Sequence, residues 1–286
     1  FDTRNSFGIY SFKAALVLLF FVFGLGNNAW SQSTANYTFA TNATGSLALD
    51  ANSNAIDMST GTTALVAAAS DQGVSALTNI GFNFTFMGSM YSQFSASANG
   101  VMQLGSTLVS GSTYVASGGT ATAPKFGAIT SDAITASAAD GGGVTSKVVG
   151  TAPNRTLVVQ WVSYLYYTNT ASPATFQIRL YETTGVVEYV YGSMPVGATA
   201  YSSNYTTGFS TGSTTGLLAS VTTSANTLST ATFSTNAYTA GTNITNLDST
   251  ANGSRRVYSF TPPSSVPADP TTLTFTAVAG TTTTPN

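Results

Sequence analysis

Cysteine and histidine are both absent from the 286 residues, and charged side chains make up only 6% of them. Without cysteine there is no disulfide, no thiolate metal ligand and no nucleophilic thiol. Without histidine the chain lacks the usual general base, the commonest metal ligand and the central member of a serine triad. A net charge of −2 projects a weak field and supplies no basic patch to follow phosphates, so nucleic acid is not expected as a partner. In place of charge the chain carries serine, threonine, asparagine and 27 glycines. Such hydroxyl and amide side chains compete for the backbone and favour strands and turns over helices. The length allows one large or two ordinary domains with a core of their own.

The longest apolar run, "AALVLLFFVFGLG" at 14–26, has 13 residues, short of the ~20 that a membrane span needs. Arg4 and Lys13 precede it, and "NNAWSQ" after it offers small residues at Ala29 and Ser31. That is the order of a secretory signal peptide, helical over 1–31, with cleavage after Ser31 and Gln32 as the mature first residue. A lipoprotein would need a cysteine just after the run. The expected location is therefore secreted or on the extracellular cell surface, with no stable membrane span after cleavage. The chain opens on Phe1 and not methionine, the expectation for a fragment at its start.

From Tyr37 to Phe260 the apolar period is two, with runs bounded by Gly, Asn, Ser and Asp. Candidate strands are "ALVAAA", "GFNFTFMG", "YSQFSASA", "VMQLG", "RTLVVQWVSYLYY", "ATFQIRLYE", "VVEYVYG", "YTTGFS", "ATFS" and "RRVYSF". So many strands without crossover helices predict an all-β fold over 32–261, an antiparallel two-sheet sandwich. Phe82, Phe84 and Phe86 share one face. A three-residue loop Ala98-Asn99-Gly100, with Gly100 left-handed, sets Phe94 across from Leu104 and Ala96 across from Met102. In the second hairpin, a four-residue turn over Glu182–Gly185 places Phe176, Ile178 and Leu180 against Tyr191, Tyr189 and Val187, and Arg179 opposite Glu188 on the other face. The β-branched Thr183 and Thr184 argue against a tighter turn, because they resist positive φ.

"TPPSSVPADP" at 261–270 carries four of the nine prolines, and 262–270 reads as an extended linker. The alternation in 271–286 then predicts the first strand of a second β domain cut off by the end of the chain.

"IGFNFTFMGSMYSQFSASANGVMQLG", "APNRTLVVQW" and "FQIRLYETTGVVEYVYG", in that order, resemble the N-terminal jelly-roll domain of large Bacteroidota secreted proteins. There it precedes fibronectin type III repeats and a C-terminal type IX secretion sorting domain, and "DPTTLTFTAVAG" is similar to the first strand of such a repeat. The resemblance runs from about Tyr37 to the end and implies a secreted or surface-displayed, non-catalytic module. It departs at "AITSDAI": where the family has an aromatic and paired aspartates, only Asp132 matches, beside Ser131 and Ala133. "DST" at 248–250 resembles the O-glycosylation signal of the same bacteria.

Candidate chemistry is sparse. Glu182 and Glu188 are the only glutamates, and a carboxylate pair is what glycoside hydrolysis uses. The hairpin register, however, sets Arg179 to neutralise Glu188 and leaves Glu182 on a turn. Asp71, Asp132 and Asp140 lie in or beside Gly- and Ser-rich loops that offer oxygen ligands to calcium. No EF-hand spacing is present, and a turn in which Asp140 bonds backbone is the simpler account. No other cofactor is expected. On "RTLVVQWVSYLYY", Leu157, Val159, Trp161 and Leu165 form the core side, while Thr156, Gln160, Tyr164 and Tyr166 face away. Tyr164 and Tyr166 with Gln160 are either a stacking surface for sugar rings or a cover for the sheet. Sequons at Asn36, Asn42, Asn83, Asn154, Asn204, Asn243 and Asn252 arise by chance in a chain this rich in serine and threonine.

Two functions follow as expectations. One is a non-catalytic β-sandwich module of a larger protein, serving adhesion by binding an extracellular glycan or protein surface. The other is a carbohydrate-binding module appended to a downstream hydrolase.

Overall fold

The computed structural model describes residues 34–113, 123–166, 168, 170, 172–194, 205–211, 217–232, 244–248 and 254–263. The expected signal peptide, all but the start of the proline-rich linker, and the expected strand at 271–286 lie outside these residues, as does "DST" beyond Asp248.

Among the described residues the chain is nearly all β, with short 3-10 turns at Thr34–Asn36, Ala138–Asp140 and Ile244–Leu247 and no α-helix. The strands are β1 (Thr38–Gly45), β2 (Thr63–Val66), β3 (Thr78–Phe86), β4 (Ser89–Ala96), β5 (Val101–Leu104), β6 (Lys125–Thr130), β7 (Ile134–Thr135) and β8 (Gly143–Val149). They continue as β9 (Thr156–Tyr164), β10 (Ala174–Tyr181), β11 (Val187–Tyr191), β12 (Thr206–Ser210), β13 (Leu217–Thr222), β14 (Thr227–Thr232) and β15 (Arg255–Thr261). One sheet has the order β1-β15-β11-β10-β9-β8-β2, with β7 paired to β9, and the other β14-β13-β12-β6-β5-β4-β3. All ladders are antiparallel. The result is the expected two-sheet sandwich.

Alternation builds the core. Along β3 the burial pattern strictly alternates from Ile80 to Phe86, so Phe82, Phe84 and Phe86 enter the interior together. Phe209 of one sheet meets Phe260 of the other edge-on at 5.1 Å, and Phe86 meets Phe126 at 4.9 Å. Two buried tyrosines of β11 cross the interior to the facing sheet: Tyr189 donates to the Gly208 carbonyl at 2.6 Å and Tyr191 to that of Ala128. Burial pushes both phenols well above their ordinary pKa, so they stay donors.

Both hairpins have the expected register. Phe94 pairs with Leu104 and Ala96 with Met102, and Gly100 sits at φ 81°. A Cβ on Gly100 would lie 2.1 Å from the Ile129 carbonyl oxygen, so only glycine fits this turn. The Asn99 side chain is buried beside it, donating to the Gly111 carbonyl at 2.6 Å and accepting from the Ala133 amide at 2.9 Å. Phe176, Ile178 and Leu180 pair with Tyr191, Tyr189 and Val187, and Arg179 with Glu188.

The outward face of that second hairpin differs from expectation. It is not open to water, because the segment from Ser46 to Met58 is strapped across it. Arg179, 2% exposed, donates to the Ser46 and Leu49 carbonyls at 2.5 and 2.9 Å and to Gln177 Oε1. Asp50 accepts from Thr156 at 2.7 Å, and Ile56 and Met58 pack on Val149 and Val158. Glu188 makes no ion pair with Arg179 and accepts instead from the Tyr181 and Ser259 hydroxyls at 2.5 and 3.1 Å. The guanidinium turns away from its cross-strand neighbour because the strap presents backbone carbonyls that would otherwise be buried unpaired.

Candidate functional site

Of the expected aromatic surface, Tyr164 is buried while Tyr166 and Gln160 are half-buried. Trp161 and its companions Leu157, Val159 and Leu165 do line the core. Tyr164, however, is 7% exposed, and its hydroxyl donates to Asp140 and accepts from the Ser137 amide at 3.4 Å. Tyr166 is half-buried and packs against the main core cluster. Gln160 accepts from Gln177 at 2.9 Å. Tyr164 is thus used within the sandwich, because the turn at Ser137–Asp140 bonds its hydroxyl on the face that alternation alone would leave open.

The three loop aspartates do not converge on one point as a calcium site would require, and no group of three His, Cys, Asp or Glu suited to a metal occurs among the described residues. Asp140 is a turn residue: Ser137 caps the turn, and hydrogen bonds from Tyr164 and then Ser137 hold the Asp140 carboxyl below the usual range. Asp132 behaves oppositely, raised by burial and then by the charge of Asp71. A raised folded-state pKa means that ionisation costs stability as pH rises through the carboxylate range. Asp132→Asn is therefore expected to raise the melting temperature at neutral pH and to leave it unchanged near pH 3, about where both forms are neutral. Equal gains at the two pH values would contradict this origin.

A different site emerges at the edge strand β3. Its ladder with β4 runs through Thr78↔Phe94 and Asn79↔Gln93, then resumes at Phe84↔Tyr91. Ile80, Gly81, Phe82 and Asn83 therefore stand opposite Ser92 alone, a wide bulge in which the strands part. Gly81 takes φ 94°, and its carbonyl accepts from Arg155 Nη1 at 2.7 Å. Arg155, just before β9, also forks onto Glu182, just after β10: Nε to Oε2 at 2.8 Å and Nη2 to Oε1 at 2.5 Å. The guanidinium carbon lies 5.5 Å from the centre of the Phe82 ring, which is buried beneath it. Together Asn79, Gly81, Phe82, Asn83, Ser92, Arg155 and Glu182 line an open cleft of about 510 Å³.

Glu182, expected on a turn, is on the turn, but its partner is Arg155, which sequence reasoning missed. No local signal links residues so far apart, since the contact needs β9 and β10 to pair first. Hydrogen bonds from Arg155 hold the Glu182 carboxyl below the ordinary range. The pair thus contributes stability above the usual glutamate value of about 4.3 that is lost as pH falls through the lowered folded-state value. In an NMR titration Glu182 is expected to titrate below about 4.3. A midpoint at or above it would mean that the fork does not form in solution.

Residues 30–262 match the model of the NIDO-related family. The chain belongs to that family. The match takes in every strand from β1 to β15, so the sandwich and its cleft are the NIDO-related domain itself. No curated protein and no solved structure matches the chain. A NIDO-related domain is an extracellular, non-catalytic type of module belonging to larger proteins. Among the described residues no helix is long and apolar enough to cross a membrane.

Proposed function

We propose that this NIDO-related domain is a secreted or cell-surface module that binds, in adhesion or matrix attachment, on behalf of a larger protein and performs no chemistry of its own. Export through the segment 1–31 and display ahead of fibronectin type III repeats complete this reading. One observation carries it: of the eight carboxylates among the described residues, all but Asp71 and Asp132 are tied to fixed donors, namely Asp50, Asp57, Asp140, Asp248, Glu182 and Glu188. Carboxylates so engaged are poor candidates to take up and release protons at a reacting group. What the surface offers instead is amides, hydroxyls and backbone groups. The second reading, a carbohydrate-binding module serving a hydrolase elsewhere in the protein, is favoured by the polar cleft at Arg155 and Glu182.

The test is to screen the purified chain for binding to extracellular proteins and glycans, and for turnover of glycosides and esters. Saturable binding without turnover is expected. Turnover that disappears in Asp132→Asn, Glu182→Gln or Glu188→Gln would overturn the proposal.

A further inference from the structure

We infer that the parting of β3 from β4 is a binding site for a neutral saccharide, walled by Asn83, Ser92 and the Arg155–Glu182 pair. The inference rests on the binding-module reading and names the ligand of its cleft.

The opening is built in. Four residues of β3 against one of β4 give up ladder hydrogen bonds, a cost that bulges typically carry where a strand is re-aimed at a site. Arg155 props the bulge by holding the Gly81 carbonyl. Gly81 itself has a left-handed φ, and a Cβ there would lie 2.9 Å from Val148 Cγ2, so the backbone is held where only glycine sits easily.

The unspent hydrogen-bonding groups face the cleft. The Asn83 amide and the Ser92 hydroxyl make no side-chain hydrogen bond among the described residues, and both residues are exposed. Three of the five guanidinium N–H groups of Arg155 are used by Glu182 and Gly81, which leaves two. Glu182 Oε2 accepts both the Nε–H and the backbone N–H of Arg155, and Oε1 keeps an acceptor lone pair beside the two that remain. Donor and acceptor stand next to each other with no net charge.

That combination selects the ligand. Neighbouring hydroxyls on a sugar both donate and accept, so one can take a guanidinium N–H while the next gives its proton to the carboxylate. An acidic ligand would meet Glu182, a cationic one would meet Arg155, and each would be opposed by half of the pair. A volume of about 510 Å³ has room for a short saccharide. Because Phe82 is buried under the guanidinium, the site holds its sugar by hydrogen bonds and not by ring stacking.

The test prints neutral hexose and N-acetylhexosamine oligosaccharides, sulfated and carboxylated glycans, and extracellular proteins on one array, and probes it with the full chain. Asn83→Ala/Ser92→Ala is compared with Leu108→Ser, an exposed position that does not line the cleft, and circular dichroism melts confirm that both fold. Neutral glycans should bind saturably, with affinity at least about tenfold weaker in the double variant and unchanged in Leu108→Ser. Binding to acidic glycans alone, or neutral binding that the double variant leaves intact, would overturn the inference and leave the module reading standing. The same holds for binding to proteins alone. Silence on every probe would overturn both.

Discussion

Trp161→Ala is expected to destabilise the domain by about 3–5 kcal/mol, the cost of emptying a large aromatic site in a packed core. Trp161 is fully buried and stacks on Phe176 with centroids 5.4 Å apart and planes 8° from parallel. Its indole N–H also donates to the Ser97 carbonyl at 2.8 Å, across the gap between the sheets. Truncation therefore leaves a cavity and also removes one of two hydrogen bonds to the Ser97 carbonyl, which keeps that from the Gly100 amide at 3.3 Å. For a domain of this size each kcal/mol moves the melting temperature by about 2–4 °C, so a drop of roughly 10 °C is expected. Trp161→Phe keeps most of the packing but loses the hydrogen bond, and should fall between, at about 1–3 kcal/mol. A loss below about 1 kcal/mol for alanine, read from urea melts, would show that the two sheets do not close on this side chain.

Arg179→Glu should be nearly as damaging, at about 3–5 kcal/mol, and Glu188→Arg in the same chain should not restore it. The cross-strand register alone predicts the opposite: a modest loss that reversal of the second charge repairs. The difference lies in what each group touches. The guanidinium is buried and spent on Ser46, Leu49 and Gln177, while Glu188 is held by Tyr181 and Ser259. A carboxylate at 179 would face two strap carbonyls with nothing to give them, and an arginine at 188 would meet hydroxyls placed to donate to an acceptor. Tyr181 in turn accepts from the strap amide of Ala51 at 3.0 Å, so the damage reaches the whole strap. A double mutant markedly more stable than Arg179→Glu would mean that the two charges are in direct contact after all.

Several strands escaped the reading by pattern. β8, "GVTSKVV", carries Thr, Ser and Lys between its apolar residues and opens on glycine, so it reads as loop until β9 pairs along its whole length. β6, "KFGAIT", begins with a lysine and contains a glycine, yet all six residues are buried. Lys125 lies on its outward face, and burial lowers its pKa. β1 is mostly exposed and has no apolar alternation to reveal it; pairing with β15 makes it a strand. The two hairpins, by contrast, were legible to the residue, because alternation and turn chemistry act over a few neighbours.

The same division holds for the site. Chain order and side-chain period were sufficient for the strand class, both hairpin registers and the inward aromatics of β3 and of the β10–β11 hairpin, since each depends on contacts between near neighbours. Whether an outward polar residue meets water, a strap or a cleft depends on which distant backbone comes to rest on it. Arg155 finds Glu182 once β9 pairs with β10, but it reaches the Gly81 carbonyl of β3 only once the two sheets have closed face to face, and no local pattern records that encounter.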